Sequence, residues 1–578
     1  MVDLKLNDEQ QKIFDAFWNK RTNIFLTGKG GTGKSFTTRY IIERCREANK
    51  NLLICAPTGV AATNINGTTI HRTFCAPIRP LLPDEYFDPH RIVEEMDFYS
   101  EKARKKYLNR LMEKVKVIES ADVLIVDEIS MCRIDLFCWM TNTLMELNPK
   151  IQLLVVGDFY QLPPVGAKKE QEKLIFQKAY GNYLFAFQAP QWNQLGLQTM
   201  ELQTPMRQKD TDFIRALDQI REGIPSFDVF SRAAEMDISA VTICPRNDQA
   251  SRINSIQLQR LSGKKNPIVS IKTSVWEKED FYLRDSDYPV DKELQLCKGA
   301  MVVLLTNDSD GAYVNGSTAE VLNINVNDST AEPTIEVRIK DSGDVVEISK
   351  NTWSIEDYVM ERDHTGRNVV KTECLATISQ FPLRLAWGIT IHKSQGQTYD
   401  KVNILADGFF AEGQMYVALS RCRSLQGLKI IGELKPAELK CAEVVRNFMK
   451  MGKKFQPKLP KIGKKAPTTV PKGVIDKIKE FEERDKALVK ALQSQMKKEK
   501  KRGYMPESFT VLAPSVTAPK PSRAGRPKAD YNKTKPSRAL RVPGEMVSVF
   551  QVLIDKGKSD NGIMKQIVSE LEKVAGTL

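Results

Sequence analysis

The sequence predicts an α/β protein in which helices cover both faces of parallel sheets. Short apolar runs rich in β-branched residues recur from about residue 1 to residue 250, and amphipathic stretches lie between several of them. The clearest runs are IFLT (24–27), LLIC (52–55), VLIV (123–126) and LLVV (153–156). Buried parallel strands are typically continuous apolar runs that alternate with helices, so this pattern favours a parallel sheet.

A second series of apolar runs predicts a second α/β domain. These runs begin at Val241, Met301, Val402 and Leu428. Residues 307–378 interrupt the series, because there apolar and polar residues alternate between Asn, Gly and Asp turns. This alternation is typical of antiparallel strands and predicts a small inserted β-barrel. A charged, helix-prone insert at about residues 77–115 interrupts the first domain in the same way.

Composition divides the chain into predicted regions. Residues 1–245 and 246–451 are the two α/β domains, residues 452–540 are a basic linker that is partly helical and partly disordered, and residues 541–578 are a small helical element. The formal net charge is +14. After residue 451 there are 29 Lys and Arg against 13 Asp and Glu, so the tail carries +16 and the rest of the chain −2. A basic tail of this kind suits binding to a polyanion.

Composition argues against a membrane protein, a secreted protein and a metal site rich in Cys or His. No stretch approaches the roughly 18 consecutive apolar residues of a transmembrane helix, and the N-terminus lacks a basic region followed by an apolar one. The ten cysteines include no C-x-x-C pair, and the chain has four histidines. Reduced thiols are typical of intracellular proteins. We expect a cytoplasmic or nucleoid-associated protein, or a nuclear one in a eukaryote, without membrane contact.

The stretch IFLTGKGGTGKSFTTRYII predicts a phosphate-binding loop, because the motif Gly-x4-Gly-Lys-Ser stands between an apolar strand and a helix. Backbone N–H groups of such loops surround the phosphates of a nucleotide at a helix N-terminus. Lys34 would neutralise the β- and γ-phosphates of ATP, and the Ser35 hydroxyl would be a ligand of Mg²⁺. The predicted nucleotide-binding residues of the loop are Gly28, Lys29, Gly30, Gly31, Thr32, Gly33, Lys34 and Ser35.

Acidic, amide and arginine side chains complete the predicted nucleotide site. Asp127 and Glu128 follow the run VLIV directly. Asp127 would hold Mg²⁺ through water, and Glu128 would orient and deprotonate the attacking water. Gln161, with a neutral amide, follows the run LLVV and suits a γ-phosphate sensor. Arg207 and Arg421 are candidates to stabilise transition-state charge, although an isolated arginine is more often part of a surface ion pair.

Seven strings in this order resemble superfamily 1 helicases, above all the petite-integration-frequency group and its RecD-like relatives. The strings are FLTGKGGTGKS, APTGVAATNINGTTIH, VDEISM, GDFYQLPPV, MRQKDTDFIRALDQIREG, LAWGITIHKSQGQTYDKV and YVALSR, which cover roughly residues 5–445. The resemblance implies tandem RecA-like motor domains with ATP in the cleft between them and single-stranded DNA lying across both. It also implies that residues 307–378 are an SH3-like barrel and that residues 77–115 are a strand-separating wedge.

The resemblance also assigns roles to single residues. Gln10 resembles the glutamine that reads adenine, Gln161 resembles the γ-phosphate sensor, and Arg207 and Arg421 resemble the arginines supplied across the cleft. The residues that resemble DNA contacts of the first domain are Pro57, Thr58, Gly59, Thr69 and His71. Phe74 is either a further aromatic that stacks on a base or a core residue.

The polar loop at residues 392–398 lies between two apolar runs, and by the resemblance it lies between the DNA track and the nucleotide cleft. His392, Lys393, Ser394 and Gln395 have the hydrogen-bonding groups to hold phosphates and sugars of a single strand without reading its sequence. We expect single-stranded DNA and its junctions with duplex DNA as partners, a further DNA or protein contact through the basic tail, and a monomeric chain.

The leading hypothesis is an ATP-dependent DNA helicase that moves 5′→3′ along single-stranded DNA and acts in replication, recombination or repair. The direction of movement rests on the resemblance alone. One alternative is a DNA-stimulated ATPase that translocates without separating strands. Another is a nucleic-acid-binding scaffold with a vestigial ATPase, which the presence of Lys34, Glu128 and Arg421 argues against. Phosphate contacts do not distinguish DNA from RNA unless the 2′-hydroxyl is read.

Overall fold

The structure, a computed structural model, describes most of the chain before the basic tail. The described residues are 5–96, 98, 100–167, 169–232, 237, 240–279, 281–308, 310–326, 333–452, 455, 511–512 and 551–552. The chain forms two compact units, one of Met1–Glu95 with Arg104–Pro460 and the other of Met96–Ala103 with Lys461–Leu578. Among the described residues, no helix has both the length and the apolar character to cross a lipid bilayer.

A six-stranded parallel sheet lies at the centre of the N-terminal half of the first unit. Its strands are β1 (Ile24–Gly28), β2 (Leu52–Ala56), β3 (Thr68–Thr69), β4 (Val123–Val126), β5 (Gln152–Val156) and β6 (Gln198–Leu202). They lie in the order β3-β2-β4-β5-β1-β6, and every neighbouring pair is parallel. All residues of β1, β4 and β5 are buried, as expected for strands covered on both faces. The four strands predicted from apolar runs are confirmed.

Helices alternate with these strands along the chain. They are α1 (Asp8–Trp18), α2 (Lys34–Glu47), α3 (Gly59–Asn64), α4 (Ile70–Thr73), α5 (Pro89–Glu94), α6 (Glu101–Ser120), α7 (Ile134–Leu147), α8 (Glu170–Tyr180), α9 (Pro190–Gln194) and α10 (Thr211–Arg221). Ile13 and Phe17 of α1 and Ile41 of α2 share one core with Leu26 of β1 and Ile54 of β2. The helix-prone insert at residues 77–115 contains α5 and most of α6.

The C-terminal half of the first unit combines a second parallel sheet with antiparallel strands. Its strands are β7 (Val241–Cys244), β8 (Val269–Lys272), β9 (Ser274–Glu277), β10 (Glu293–Leu296), β11 (Met301–Leu304), β12 (Thr318–Asn325), β13 (Thr334–Ile339), β14 (Val345–Ser349), β15 (Asn351–Arg362), β16 (Asn368–Gln380), β17 (Leu383–Leu385), β18 (Gly388–Thr390), β19 (Val402–Ala406) and β20 (Leu428–Gly432). Its helices are α11 (Asn247–Leu261), α12 (Gln414–Leu419) and α13 (Glu443–Met451). The strands of the parallel sheet lie in the order β18-β7-β19-β20.

One sequence interpretation changes in this half. The run that begins at Met301 was expected in the parallel sheet, but β11 pairs antiparallel with β12 and β17. An apolar run indicates burial and not the direction of its neighbour, which explains the error. The strand β7 belongs to the second sheet, and the domain boundary proposed after residue 245 stays a prediction.

The predicted antiparallel strands between residues 307 and 378 are present, and antiparallel pairing extends beyond both ends of that range. The strands form a five-stranded sheet in the order β14-β13-β12-β11-β17, a three-stranded sheet in the order β15-β16-β9 and a pair of β10 with β8. The pairings between described residues leave each of these sheets open. The SH3-like barrel therefore stays a prediction.

The long hairpin β15–β16 contacts the first sheet. The Tyr358 hydroxyl donates to the Ile54 carbonyl of β2 at 2.9 Å and accepts the Ile54 N–H at 2.8 Å. Beside it, Asp357 forms a buried ion pair with Lys114 of α6. These contacts bind the antiparallel strands of the C-terminal half to the N-terminal half.

The helix α13 also packs against the first sheet. Phe448 stacks on Phe187 with 4.2 Å between ring centroids, and it also contacts the rings of Phe25, Trp192 and Phe455. Because the strand β20 and helix α12 precede α13 in the chain, this aromatic cluster ties the end of the second domain to the first.

Most of the predicted tail, which comprises the basic linker and the helical element after it, lies outside the described residues. In the second unit, β21 (Val511–Leu512) pairs antiparallel with β22 (Gln551–Val552). The predicted linker at residues 452–540 and the predicted helical element at residues 541–578 stay predictions.

Candidate functional site

The phosphate-binding loop connects β1 to α2. Gly33, the N-cap residue of α2, has a φ of 94°, a conformation that glycine adopts without a steric penalty. A side chain at Gly31 would overlap Arg207, because its Cβ would lie 2.5 Å from the Cβ of Arg207. The loop therefore brings the N-terminus of α2 close to Arg207. The free N–H groups and the dipole of this helix terminus attract an anion.

Lys34 lies within the loop. Its Nζ donates to two carbonyl oxygens of the loop, at 2.6 and 3.0 Å. Burial lowers the pKa of Lys34, and the carboxylates of Asp158 and Glu128 oppose that shift. The other lysine of the loop has a different partner, because Nζ of Lys29 lies 2.6 Å from Oδ2 of Asp218 in α10. Lys34 is thus the lysine positioned to meet a bound phosphate.

The two acidic residues stand at the end of β4. Asp127 is buried, and its Oδ1 accepts the N–H of Glu128 at 2.8 Å. Glu128 has a φ of 50°, which is uncommon for a residue with a side chain and is found most often at functional sites. Burial, reinforced by the charge of Asp127, raises the pKa of Glu128 to about 7. A carboxyl group with this pKa suits a general base at neutral pH.

Gln161 and Asp158 follow β5 at the same edge of the sheet. Gln161 is buried, and its Nε2 lies 3.4 Å from Oδ2 of Asp158. Arg221 of α10 donates to Asp158 Oδ1 at 2.9 Å and lies over the ring of Tyr160 at 4.1 Å. This buried ion pair fixes the turn that carries Gln161.

Two arginines reach the site from outside the first sheet. Arg421, just after α12, is buried and donates to the Val417 carbonyl and the Ser420 hydroxyl, each at 2.9 Å. Arg207 donates to the Ser420 carbonyl at 3.1 Å. Burial, together with the charge of Arg421, lowers the pKa of Arg207 to about 9. Within the described residues neither guanidinium pairs with a carboxylate, so an anion between them would be stabilised.

A cavity of about 630 Å³ joins these groups. The sequence-predicted residues that line it are Gly30, Gly31, Gly33, Lys34, Ser35, Asp127, Glu128, Gln161, Arg207 and Arg421. Gln10 is buried nearby, where its side-chain oxygen accepts the N–H of Asn7 at 3.0 Å in the capping box of α1. Thr32, within the loop, is buried, and its hydroxyl donates to the Lys29 carbonyl at 3.0 Å.

Sequence reasoning missed two residues that join the halves of the molecule at this cavity. The N–H of Gly30 donates to the Tyr416 hydroxyl of α12 at 2.9 Å, and burial raises the pKa of Tyr416 to about 12. Gln208 donates to the carbonyls of Ser420 and Cys422 at 3.1 and 2.9 Å. Both residues lie in strings that were quoted for the resemblance, but no spacing rule assigns them a partner.

The predicted DNA contacts of the first domain lie at short helices. Pro57, Thr58, Gly59, Thr69 and His71 are all half-buried. Thr58 and Thr69 cap α3 and α4 by accepting backbone N–H groups, each at 3.3 Å, and burial lowers the pKa of His71. Phe74 is fully buried, so a stacking role is wrong and the core alternative is correct.

The loop at residues 392–398 faces two ways. His392 and Lys393 are exposed. Ser394 is fully buried and its hydroxyl donates to the Ile391 carbonyl at 2.9 Å, so the predicted DNA contact of Ser394 is wrong. Nε2 of Gln395 donates to Oε2 of Glu128 at 3.3 Å. One side of the loop therefore contacts the nucleotide cavity, which the sequence did not indicate for Gln395.

Comparisons with known proteins identify the family. Residues 10–167 match the model of a family described as AAA domain. Over 427 residues the chain is 30% identical to ATP-dependent DNA helicase Pif1 of Campylobacter jejuni, and the match covers 72% of this chain and 89% of that protein. The chain belongs to the Pif1 family of DNA helicases. It spans 61 to 64% of the length of the vertebrate relatives it matches.

Solved Pif1 structures share the fold. The structure of Bacteroides sp Pif1 in complex with ADP-AlF4 is 31% identical, with a TM-score of 0.63 over 78% of this chain and 99% of that one. Bacteroides Pif1 bound to ssDNA is 32% identical, with a TM-score of 0.51 over 78% of this chain and 97% of that one. The predicted class, a RecA-like α/β protein with a phosphate-binding loop, is thus confirmed. As a Pif1-family member, the chain is an ATP-driven DNA helicase.

Proposed function

We propose that this chain hydrolyses ATP to move 5′→3′ along single-stranded DNA and to unwind duplex DNA. The observation that carries the proposal is the cavity itself, where the phosphate-binding loop of the first sheet faces Arg421 of the C-terminal half. A nucleotide bound there would contact both halves, so its hydrolysis would change how tightly they are held together. The direction of movement follows from the resemblance to the family.

Each side chain of the cavity has a role in hydrolysis under this proposal. Lys34, Arg207 and Arg421 stabilise the charge that develops on the γ-phosphate. Glu128 orients and deprotonates the attacking water, and Gln161 senses whether the γ-phosphate is present. Arg421 belongs to the C-terminal half, so transition-state stabilisation requires the two halves to be close.

The residues at the cavity suit a magnesium ion. The Ser35 hydroxyl and the Asp127 carboxylate both line it, and both are the oxygen donors that Mg²⁺ prefers. Ser35 and Asp127 would hold a bound Mg²⁺, which would neutralise phosphate charge. We therefore include Mg²⁺ as a cofactor in the proposal.

DNA binding is proposed along Pro57, Thr58, Gly59, Thr69, His71, His392 and Lys393. The exposed His392 and Lys393 neighbour Gln395, whose bond to Glu128 offers a direct route from DNA contact to the hydrolytic base. The preference for junctions and the monomeric state remain parts of the proposal. A relative that was solved with ssDNA supports the choice of partner.

Strand displacement tests the proposal directly. Matched duplexes with a 5′ or a 3′ overhang are incubated with the chain, ATP and Mg²⁺, and a Lys34→Ala variant is the control. We expect unwinding of the 5′-overhang duplex alone, and none by the variant. ATP hydrolysis that responds to DNA without any displacement would instead favour a translocase, and unwinding from the 3′ overhang would contradict the direction.

The basic tail is proposed to add affinity for DNA irrespective of sequence, through release of counterions. Phe455 packs on Phe187 and Phe448, with 5.5 and 5.6 Å between ring centroids, so a truncation should keep this residue. A chain that ends at Gln456 should retain DNA-stimulated ATP hydrolysis and show a shallower dependence of DNA affinity on salt. An unchanged salt dependence would remove the tail from the proposal.

A further inference from the structure

Residues 281–291, which connect β9 to β10 and are called the acidic segment below, carry two carboxylates that meet cations from separate parts of the chain. Oδ1 of Asp287 lies 3.4 Å from Nη2 of Arg72. The carboxylate of Asp291 lies 3.5 Å from Nζ of Lys393 and 3.7 Å from Nε of Arg384. The acidic segment therefore bridges cations of the N-terminal and C-terminal halves.

These cations border the proposed DNA contacts. Arg72 follows His71 in α4, and Lys393 lies in the loop at residues 392–398. The short turn Asp285–Asp287 also lies beside α3, the helix that Thr58 caps. The acidic segment thus contacts the three stretches that are proposed to hold a single strand of DNA.

The distances between the charged atoms in these three pairs are long. Charge-assisted hydrogen bonds are typically about 2.7–2.9 Å long, whereas the three separations here are 3.4 to 3.7 Å. Nε of Arg384 is buried and has no hydrogen-bond partner, although Nη2 of the same residue donates to the Pro289 carbonyl at 3.0 Å. A phosphate oxygen could satisfy these donors at least as well as the carboxylates do.

Aromatic side chains accompany the carboxylates. The guanidinium of Arg72 lies over the ring of Phe281 at 5.5 Å, and the side chain of Tyr282 is 80% exposed. Single-stranded DNA presents alternating phosphates and stacking bases to its binding proteins. The carboxylates of the acidic segment therefore correspond to the phosphates of DNA, and its aromatic rings correspond to the bases.

The geometry points to the acidic segment as a built-in competitor of DNA. Asp287 and Asp291 take the places of DNA phosphates on Arg72, Arg384 and Lys393, and an incoming strand displaces them. Arg72 and Arg384 thereby become DNA-contact residues that no motif had indicated. This inference rests on the proposed function, because it requires that the chain bind single-stranded DNA across these stretches.

Neutralising the two carboxylates tests the inference. The double variant Asp287→Asn with Asp291→Asn keeps the side-chain shapes, and binding of a labelled oligothymidine is followed by fluorescence anisotropy at constant salt. We expect affinity to rise roughly three- to tenfold, the size expected when competing, partly exposed ion pairs are removed. The matched control is Asp344→Asn with Glu433→Gln, which removes two exposed carboxylates elsewhere and should change affinity less than twofold by the same reasoning.

A double-mutant cycle separates competition at this site from a general charge effect. Arg72→Gln should weaken binding, and Asp287→Asn should tighten binding in the wild-type chain but not in the Arg72→Gln chain. Equal tightening in both backgrounds, or no difference between the double variant and its control, would overturn the inference. A wild-type chain that does not bind the oligonucleotide would overturn the proposed function as well.

Hydrogen exchange provides a test without substitutions. Backbone amides of residues 281–291 should exchange faster when oligothymidine is added to the full-length chain, because the strand releases the acidic segment from its cations. Unchanged or slower exchange in this segment, under conditions where anisotropy shows binding, would contradict displacement.

Discussion

At the scale of single residues, the cavity contains positively charged side chains that have no carboxylate partner among the described residues. Arg207 and Arg421 donate only to carbonyls and a hydroxyl among their described contacts, and the N–H of Gly30 is held by the Tyr416 hydroxyl. Each of these donors would gain from a phosphate oxygen. The cavity is therefore arranged for an anion that touches both halves of the chain.

Replacing Arg421 tests the role of the arginine across the cavity. In Arg421→Ala, nucleotide should still bind, while kcat for ATP should fall on the order of 10³-fold because transition-state charge loses its partner. Arg421→Lys, which keeps the charge but not the planar fork, should recover only part of the rate. Steady-state phosphate release and binding of a fluorescent ATP analogue provide the two readings.

The control for this prediction is Arg252→Ala, an exposed arginine of α11 in the same half of the chain. It should hydrolyse ATP as the wild type does. If Arg421→Ala hydrolysed ATP at the wild-type rate, the assignment of Arg421 to the cavity would be wrong.

Tyr416 provides a second test at this scale. Its hydroxyl accepts the N–H of Gly30, a donor that a bound phosphate would need. Tyr416→Phe removes this competitor, so ATP affinity should rise roughly two- to tenfold, as expected from the net value of one hydrogen bond. Titration calorimetry with a slowly hydrolysed analogue measures the change. Weaker binding would mean that the hydroxyl contacts the nucleotide instead of competing with it.

At the scale of elements, two pieces of the C-terminal half hold the N-terminal half. The hairpin β15–β16 contributes the buried ion pair of Asp357 with Lys114 and the hydrogen bonds of Tyr358 to β2. The helix α13 contributes Phe448, which is 3% exposed within the aromatic cluster. The two halves are therefore joined by packing at two places as well as by the chain.

Removing the anchor of α13 should destabilise the molecule. Phe448→Ala should lower the free energy of unfolding by about 3–5 kcal/mol, because a fully buried ring leaves a cavity. The comparison is Phe410→Ala, in which the lost ring is 51% exposed and the loss should be much smaller. Urea denaturation followed by circular dichroism gives both midpoints. If the midpoint of Phe448→Ala equalled that of Phe410→Ala, α13 would not contribute to stability through this contact.

Local pattern predicted four of the six strands of the first sheet and the phosphate-binding loop, because continuous apolar runs and glycine spacing report directly on burial and backbone conformation. It did not predict that β11 lies in an antiparallel sheet, since strand direction depends on partners distant in sequence. The contacts of Tyr416 with Gly30 and of Gln395 with Glu128 join residues more than 250 positions apart. Such contacts follow from the folding of both halves, and no short-range pattern encodes them.

At the scale of the whole molecule, the nucleotide cavity and the proposed DNA contacts share the loop at residues 392–398. Gln395 on one side of that loop contacts Glu128, and Lys393 on the other pairs with the acidic segment. Under the two proposals, DNA that displaces the acidic segment would alter the position of the loop, and hence the position of the Glu128 carboxylate. DNA should therefore accelerate ATP hydrolysis.

Phosphate release with and without a single-stranded oligonucleotide tests this requirement most directly. The wild-type chain, with ATP and Mg²⁺, should release phosphate several-fold faster once oligothymidine is added, and Lys34→Ala should release none above background in either case. A wild-type rate that stays the same at saturating oligonucleotide would contradict the coupling of the cavity to DNA.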